Sequence, residues 1–403
     1  MAEYLPNSWQ DMPAVMPTYE RVDLYFERGE GCYLFNDKGE RFLDFGAAFS
    51  VTAFGHANPI LTEALHQQAQ KLWITSNLYK SHQLDQVAKR LVEMTGFADT
   101  VFFQNSGVEA WELGVKIIRK YFSTIDQPER YRVITFQGCF HGRTLAAIAA
   151  AKTPKMVGGF GPMTDGFDQV PWGDLEAVRA AITPETAAIH IEPVQGEGGI
   201  RAASPAYMQG LRQLCDQHGL LLFLDEIQCG MGRTGKLFAH EWSGIRPDVM
   251  CIAKALGNGF PVAACVATAS AARGMTPGTH GSTYGNNPLA LAVVDKVLDL
   301  FSAPGFIDDI ARKGEYLAAG LNKLLAKYPK VFAEKRGMGL MQGLKCVVPE
   351  DKVLQACRAR KLLIMPAGDN VVRLVPPLIV TNAQIDDALA IMSAAAQEVE
   401  ASL

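Results

Sequence analysis

Short, nearly continuous apolar runs separated by stretches of helical periodicity constrain this chain most. Thr100–Phe103, Arg132–Phe136, Ala187–Glu192, Leu220–Leu224 and Val249–Ala253 are four to six residues long with little polar interruption. A half-exposed strand alternates polar and apolar residues, whereas a strand buried on both faces does not. Between most of these runs lie Glu109–Phe122, Asp174–Ala181 and Ala206–His218, which carry helical patterns. Strand, helix, strand in series predicts an α/β fold with a mainly parallel sheet covered on both faces. The His280–Pro288 stretch is rich in Gly, Asn and Pro and reads as a loop before a helix at Leu289–Phe301. The pattern then changes to a helix (Phe306–Lys327), strands (Leu340–Val347, Leu362–Met365, Val371–Val375) and a last helix from Asn382. The expected division is an N-terminal segment (1–50) contributing to a small domain, a large domain (51–290) and the α+β small domain itself (291–403).

Charge and composition narrow the partners. A formal net charge of −4 over 403 residues gives no reason to expect nucleic acid or an anionic membrane. No stretch reaches the roughly 18 apolar residues needed to span a bilayer. Met1–Met16 has no basic region followed by an apolar run, so no signal peptide is expected. The eight cysteines form no CxxC pair, so neither zinc nor a redox motif is expected. Unpaired thiols suit a reducing cytoplasm.

Ligands of open α/β sheets sit beyond the carboxyl ends of the strands. Ala187–Ile191 ends in Glu192, Leu220–Leu224 in Asp225, and Val249–Ala253 in Lys254, while Arg132–Phe136 leads to Phe140 and Arg143. Pyridoxal phosphate (PLP) needs a lysine amine, a carboxylate for its pyridine nitrogen, backbone donors for its phosphate, and flat apolar faces. Lys254 and Asp225 answer the first two needs. Ser106, Gly107 and Val108 open a helix and offer free N–H groups, although taken by themselves they read better as an ordinary N-cap. Phe140 can stack on a ring or fill a core. Gln228 can meet the ring hydroxyl or be a polar loop residue.

A competing pattern lies at Gly230–Gly235, which matches GxGxxG and with Lys236 nearly matches a phosphate-binding loop. Such a loop needs Ser or Thr after the lysine, and Leu237 stands there. The glycines do not directly follow a strand, and Lys236–Gly244 makes a poor helix. A nucleotide-dependent enzyme is therefore the alternative from another class.

The motifs GHANP (55–59), FFQNSGVEA (102–110), FHGRT (140–144), IEPVQGEGG (191–199), LDEIQCGMGRTG (224–235), AKALGNGFP (253–261), GTHGSTYGNNPLA (278–290) and VRLVPPL (372–378) occur in this order. Together they resemble the class III, ornithine-type PLP aminotransferases of fold type I along nearly the whole chain. The resemblance implies that Lys254 carries the cofactor as a Schiff base, Asp225 pairs with the pyridine nitrogen, Gln228 touches the ring oxygen and Phe140 stacks on the ring. It implies phosphate contacts from Gly107 and Val108. It also implies that Ser282 and Thr283 reach the other subunit's site, Thr283 at the phosphate, so that a homodimer builds two shared sites. Arg143 would clamp a distal carboxylate, and Arg373 the α-carboxylate of glutamate, with Glu197 masking Arg373 when no such carboxylate is present. Val108, Trp111, Asn258 and Asn286 depart from the family's commonest residues.

The implied reaction is ping-pong transfer of a terminal amine to 2-oxoglutarate. Phe49 stands where ornithine-specific relatives tend to carry a tyrosine that meets the free α-amino group. Phenylalanine cannot do this, which leans toward an acylated donor, N-acetylornithine. Ornithine, succinylornithine, succinyl-diaminopimelate and 4-aminobutyrate remain alternative donors.

Overall fold

A computed structural model describes residues 12–403; the expectations about Met1–Asp11 lie outside the described residues. Its centre is a seven-stranded sheet. The strands are β1 (Thr100–Gln104), β2 (Arg132–Phe136), β3 (Phe167–Val170), β4 (Thr186–Ile191), β5 (Leu221–Asp225), β6 (Val249–Ile252) and β7 (Ala263–Ala267). Their order across the sheet is β1-β7-β6-β5-β4-β2-β3. Only β7 runs antiparallel to its neighbours. Every residue of β4, β5, β6 and β7 is buried, so helices cover both faces and the apolar runs need no alternation.

Helix α1 (Gly107–Thr124) shows why the sheet can be covered so closely. Ser106 caps it, and Glu109 reaches back to the Ser106 N–H, a capping box that fixes where the helix starts. Trp111, Leu113, Val115, Ile118 and Phe122 are among its buried residues. Gly114 lets the backbone sit against β5, because a Cβ there would fall 2.2 Å from the Phe223 ring.

A second, antiparallel sheet runs in the order Phe332–Met338, Met341–Cys346, Val371–Leu374, Met365–Ala367. The helices Phe306–Lys327, Glu350–Ala359 and Asn382–Ala401 accompany it in sequence. The first of its strands was not expected, since Glu334, Lys335 and Arg336 interrupt any apolar run; as an edge strand it can carry them. The single strand expected at Leu362–Met365 is two. Leu362–Leu363 pairs with Leu43–Asp44, joining the N-terminal strands, while Met365–Ala367 pairs with Val371–Arg373. Pro366 lacks an N–H, which confines that second piece to the edge.

The Gly230–Gly235 segment is a packing corner. Gly232 (φ +80°) and Gly235 (φ +90°) need the left-handed region, and a Cβ on Gly232 would lie 2.8 Å from the Phe301 ring. Arg233 between them is fully buried and donates to the Leu340 carbonyl at 3.1 Å and to the Pro376 carbonyl, so it ties the central sheet to the second one. Burial alone pushes its guanidinium down to about 9. A loop closed around its own arginine has no room for a nucleotide phosphate. Gly232→Ala is therefore expected to destabilise the protein by about 2 kcal/mol or more, through backbone strain and overpacking. A thermal melt checks this; an unchanged midpoint counts against the corner.

Candidate active site

Lys254 lies just past β6, after Ala253, and Asp225 is the last residue of β5. The two strands are parallel neighbours with Asp225 opposite Cys251. Lys254 lies three residues beyond Cys251, so its backbone sits on the order of 10 Å from that of Asp225. Both side chains line one cavity of about 430 Å³. Ser106, Gly107, Val108, Phe140, Arg143, Glu192, Glu197 and Gln228 line it too.

Lys254 is half-buried, with its amine in the enclosed part of the cavity, and its backbone is held left-handed at φ +49° in a short 3₁₀ turn. Burial, and then the Arg373 charge, lower its ammonium from 10.5 to about 8, against the pull of Glu197, Asp225 and Glu192. That shift corresponds to about 3 kcal/mol in favour of the free amine over its charged form. A neutral amine near physiological pH is a competent nucleophile and proton carrier.

Asp225 is fixed at both oxygens. Oδ1 accepts the Ile227 N–H at 3.0 Å, and Oδ2 meets His141 Nδ1 at 2.7 Å. His141 is fully buried, which opposes its charge, but the Cys139 sulfur and the Asp225 carboxylate outweigh this and raise it well above its usual value. His190 lies beyond it, with Nε2 at 3.3 Å from His141 Nδ1, and burial and the His141 charge lower its imidazole well below the usual range. His141, His190 and Asp225 bring one ligand atom each within 4.8 Å of one another. The spacing suits a cation, but the hydrogens do not: Trp111 Nε1 donates to His190 Nε2 at 2.7 Å, and His141 Nδ1 faces a carboxylate. Glu192 directly follows β4, with Oε2 accepting the Phe140 N–H at 3.1 Å. Burial pushes it up to about 8; the His141 charge opposes the rise and the Asp225 charge adds to it.

Helix α1 points its N-terminus into the cavity. Ser106 is committed to the capping box, so the first-turn N–H groups of Gly107 and Val108 are the free donors toward an anion. Gly142 makes room beside them, since a Cβ there would lie 2.4 Å from Val108 Cγ2. Phe140 and Arg143 share the wall, with the guanidinium 5.6 Å from the ring centroid. Arg143 pairs with no carboxylate among the described residues.

Arg373 lies just behind the lining. It is fully buried and donates to Glu197 at 2.7 Å, Gln228 at 3.1 Å and the Pro366 carbonyl at 2.9 Å. The Gln228 side-chain oxygen is therefore turned to Arg373. The Phe49 ring lies 4.9 Å from the same guanidinium. Ala47, Ala48, Phe49 and Ser50 all have positive φ. Such a left-handed turn costs roughly 1–2 kcal/mol per residue. The Gly46 and Ala47 N–H groups donate to Asp44 Oδ1 at 2.9 Å each, and Asp44 Oδ2 meets His56 at 2.8 Å, which anchors the turn.

Ser282 and Thr283 do not line the cavity of their own chain. Ser282 Oγ accepts the Gly285 N–H at 2.9 Å, and Thr283 is exposed. His141 and His190 enter the site without having been among the residues expected there, and Glu192, expected at the strand-end edge, had been given no role. For His190 a signal existed: a single histidine inside an otherwise apolar strand.

A family model for class III aminotransferases matches residues 15–396. The chain belongs to the class III aminotransferases. It is 55% identical over 372 residues to the acetylornithine aminotransferase of Brucella melitensis, covering 92% of each chain. The N-acetylornithine aminotransferase of Stenotrophomonas maltophilia superposes with a TM-score of 0.84 at 34% identity, over 96% of this chain and 98% of that one. An ornithine aminotransferase of Toxoplasma gondii superposes with a TM-score of 0.92 at 31% identity, over 96% of this chain and 93% of that one, and its structure holds PLP at partial occupancy in the active site. Membership makes this enzyme an aminotransferase dependent on PLP, and of fold type I. The nucleotide-binding alternative at Gly230–Gly235 is set aside on both grounds, family and packing.

The residues present fit PLP. A half-buried amine with no carboxylate hydrogen-bonded to it, a carboxylate at the neighbouring strand end and a free helix N-terminus open into one cavity. In the cofactor-free enzyme, reaction of Lys254 with an aldehyde reagent should rise with pH about a midpoint near 8. Arg373→Gln should move that midpoint upward and Glu197→Gln downward, because the two charges act on the amine with opposite sign. Peptide mass spectrometry of the labelled lysine reads the outcome, and a wild-type midpoint near 10.5 would contradict the burial argument.

Proposed function

We propose that this enzyme transfers the terminal amino group of N2-acetyl-L-ornithine to 2-oxoglutarate, giving N-acetylglutamate semialdehyde and glutamate, as a step of arginine biosynthesis. The observation that carries the reading is the Arg373–Glu197 pair behind the Lys254 cavity, packed on Phe49 rather than on a tyrosine. The names of the Brucella and Stenotrophomonas relatives support the same donor.

PLP, when bound, supplies an aldehyde carbon that takes up the amino group and a ring that draws off the electron pair left on the substrate carbon. Lys254 holds it until substrate arrives, and Nζ then carries a proton from the amine-bearing carbon of the substrate. Asp225 keeps the ring nitrogen protonated. Gly107 and Val108 give N–H groups to the phosphate, Phe140 covers one ring face and Gln228 orients the ring oxygen. Arg143 takes the distal carboxylate of either substrate, in a two-pronged contact that fixes the reacting carbon.

Two unlike substrates share the site because Arg373 can be masked. Its side chain is fully enclosed, whereas that of Glu197 is 35% exposed, so the glutamate is the member free to swing. With the donor in place, Glu197 cancels the guanidinium and a terminal amine with no adjacent carboxylate is accepted. With 2-oxoglutarate, Glu197 turns toward solvent and Arg373 takes the α-carboxylate.

We further propose a cytoplasmic homodimer in which Ser282 and Thr283 of each subunit complete the other's site. Trp73, Leu78, Tyr79 and Tyr284 are all more than 60% exposed, an apolar surface that suits cover by a second copy. The Asn77 side chain bonds the Ser282 and Gly285 carbonyls and so joins the two segments. The eight cysteines are buried and unpaired, which suits a reducing compartment.

Assayed with 2-oxoglutarate as acceptor, kcat/KM for N-acetylornithine should exceed that for ornithine by about tenfold or more, the worth of one buried polar contact. Phe49→Tyr should narrow the gap, and equal values for the two donors in the wild type would remove the argument from Phe49. Light scattering should give a particle of about twice the 43.8 kDa chain mass, and a fully active monomer would rule out shared sites.

A further inference from the structure

The Asp225 carboxylate is one end of a buried chain that runs away from the cavity, under the strand ends. Its links are Asp225 Oδ2 to His141 Nδ1 (2.7 Å), His141 Nδ1 to His190 Nε2 (3.3 Å), and His190 Nε2 to Trp111 Nε1 (2.7 Å). His190 Nδ1 lies 3.0 Å from the Phe223 carbonyl oxygen. The Trp111 ring is nearly parallel to that of His141, 7° apart in plane with centroids at 5.6 Å. Trp111 and His190 are fully buried and His141 is 2% exposed, so bulk water cannot replace a lost partner.

The hydrogens along this chain follow from what each group can do. A carbonyl oxygen only accepts, so His190 Nδ1 carries a hydrogen. An indole N–H only donates, so His190 Nε2 presents its lone pair to Trp111. His190 is thereby a neutral ring with one tautomer, and its lone pair is already occupied. His141 Nδ1 then faces one acceptor that is free to take its hydrogen, the Asp225 carboxylate.

We propose that Trp111 and His190 are positioning residues for the carboxylate that meets the cofactor: the indole N–H locks the His190 tautomer, and the locked His190 leaves His141 to deliver its hydrogen to Asp225 alone. The proposal rests on the assignment of Asp225 to the ring nitrogen. Without the indole N–H, the His190 lone pair competes with Asp225 for the same hydrogen. A residue that merely filled the core of β4 would need no hydrogen-bonding atoms, and burying unpaired ones is costly. Here Trp111 and His190 satisfy each other, 79 residues apart in sequence. The titratable groups that face this pair and its neighbours are Asp225, Glu192, Lys254 and the thiols of Cys139, Cys229 and Cys251. None of them donates to His190 Nε2.

The test uses holoenzyme carrying Trp111→Phe, His190→Leu, both together, or His190→Gln, with Asp225→Asn as reference. The visible absorption band of the bound cofactor is titrated against pH, and cofactor retention is measured by equilibrium dialysis. Trp111→Phe should move the pH midpoint in the same direction as Asp225→Asn, by about half a unit or more, and weaken retention about tenfold, whereas His190→Leu, which removes the competing lone pair, should move neither. The double variant should return to the His190→Leu value, since the indole acts through His190. His190→Gln should keep the wild-type midpoint, because its amide can accept from the indole and donate to the Phe223 carbonyl. A Trp111→Phe enzyme that melts at lower temperature but keeps both midpoint and retention would show that the pair only packs the core, and would overturn the proposal. If His190→Leu does not fold, Trp111→Phe decides alone, since it loses one N–H and keeps its aromatic ring. A wild-type enzyme with no visible band removable by Lys254→Ala would instead sink the assignment of the site itself.

Discussion

Everything at this site depends on stripping the Lys254 amine of much of its water. An ammonium in solvent is a poor nucleophile and needs no particular address. Placed past the end of a wholly buried strand, the same group loses much of its hydration and its proton becomes loosely held. The sheet exists, in functional terms, to make that burial affordable. β5 and β6 are buried along their whole length and satisfy their backbone through the ladder, so the cost of an isolated polar group falls on the one residue where it is useful.

Parallel order then sets which groups meet. The carboxyl ends of β1, β2, β4, β5 and β6 all lie at one edge, and each delivers a different tool there: a helix N-terminus after β1, His141 after β2, Glu192 after β4, Asp225 and Lys254. None of these residues is close to the next in sequence. Lys254 and Asp225 were nonetheless legible, because an apolar strand ends visibly at its first charge. Arg373 was legible for a related reason: a charge inside an apolar run demands a partner, and Glu197 provides it.

Other parts were hidden for physical reasons. The Trp111–His190 contact joins a helix face to a strand interior, and periodicity reports which residues are buried but not which ones touch. The left-handed turn at Ala47–Ser50 contains no glycine, the usual sign of positive φ, and is held instead by the Asp44 side chain. Asn258 and Asn286, which replace common glycines, keep positive φ and use their amides. Asn258 accepts the Phe54 N–H at 2.6 Å, and Asn286 accepts that of Phe103 at 3.3 Å. Asparagine tolerates that conformation and adds a bond that glycine lacks. The edge strand Phe332–Met338 escaped notice because its exposed side is charged.

The glycine-rich corner shows the reverse error that a motif invites. Gly230–Gly235 has the spacing of a phosphate cradle, yet its glycines serve a backbone that must turn tightly around Arg233. The discriminating feature is where the free N–H groups point. In α1 the first-turn N–H groups of Gly107 and Val108 open into a cavity that also holds a lysine and a carboxylate. At Gly232 and Gly235 the backbone N–H groups bond the Leu237 and Gly232 carbonyls, and the space a ligand would need is filled by Phe301 and Ala311. A phosphate binds where donors are left unsatisfied and room remains, and only one of the two glycine-bearing turns meets both conditions.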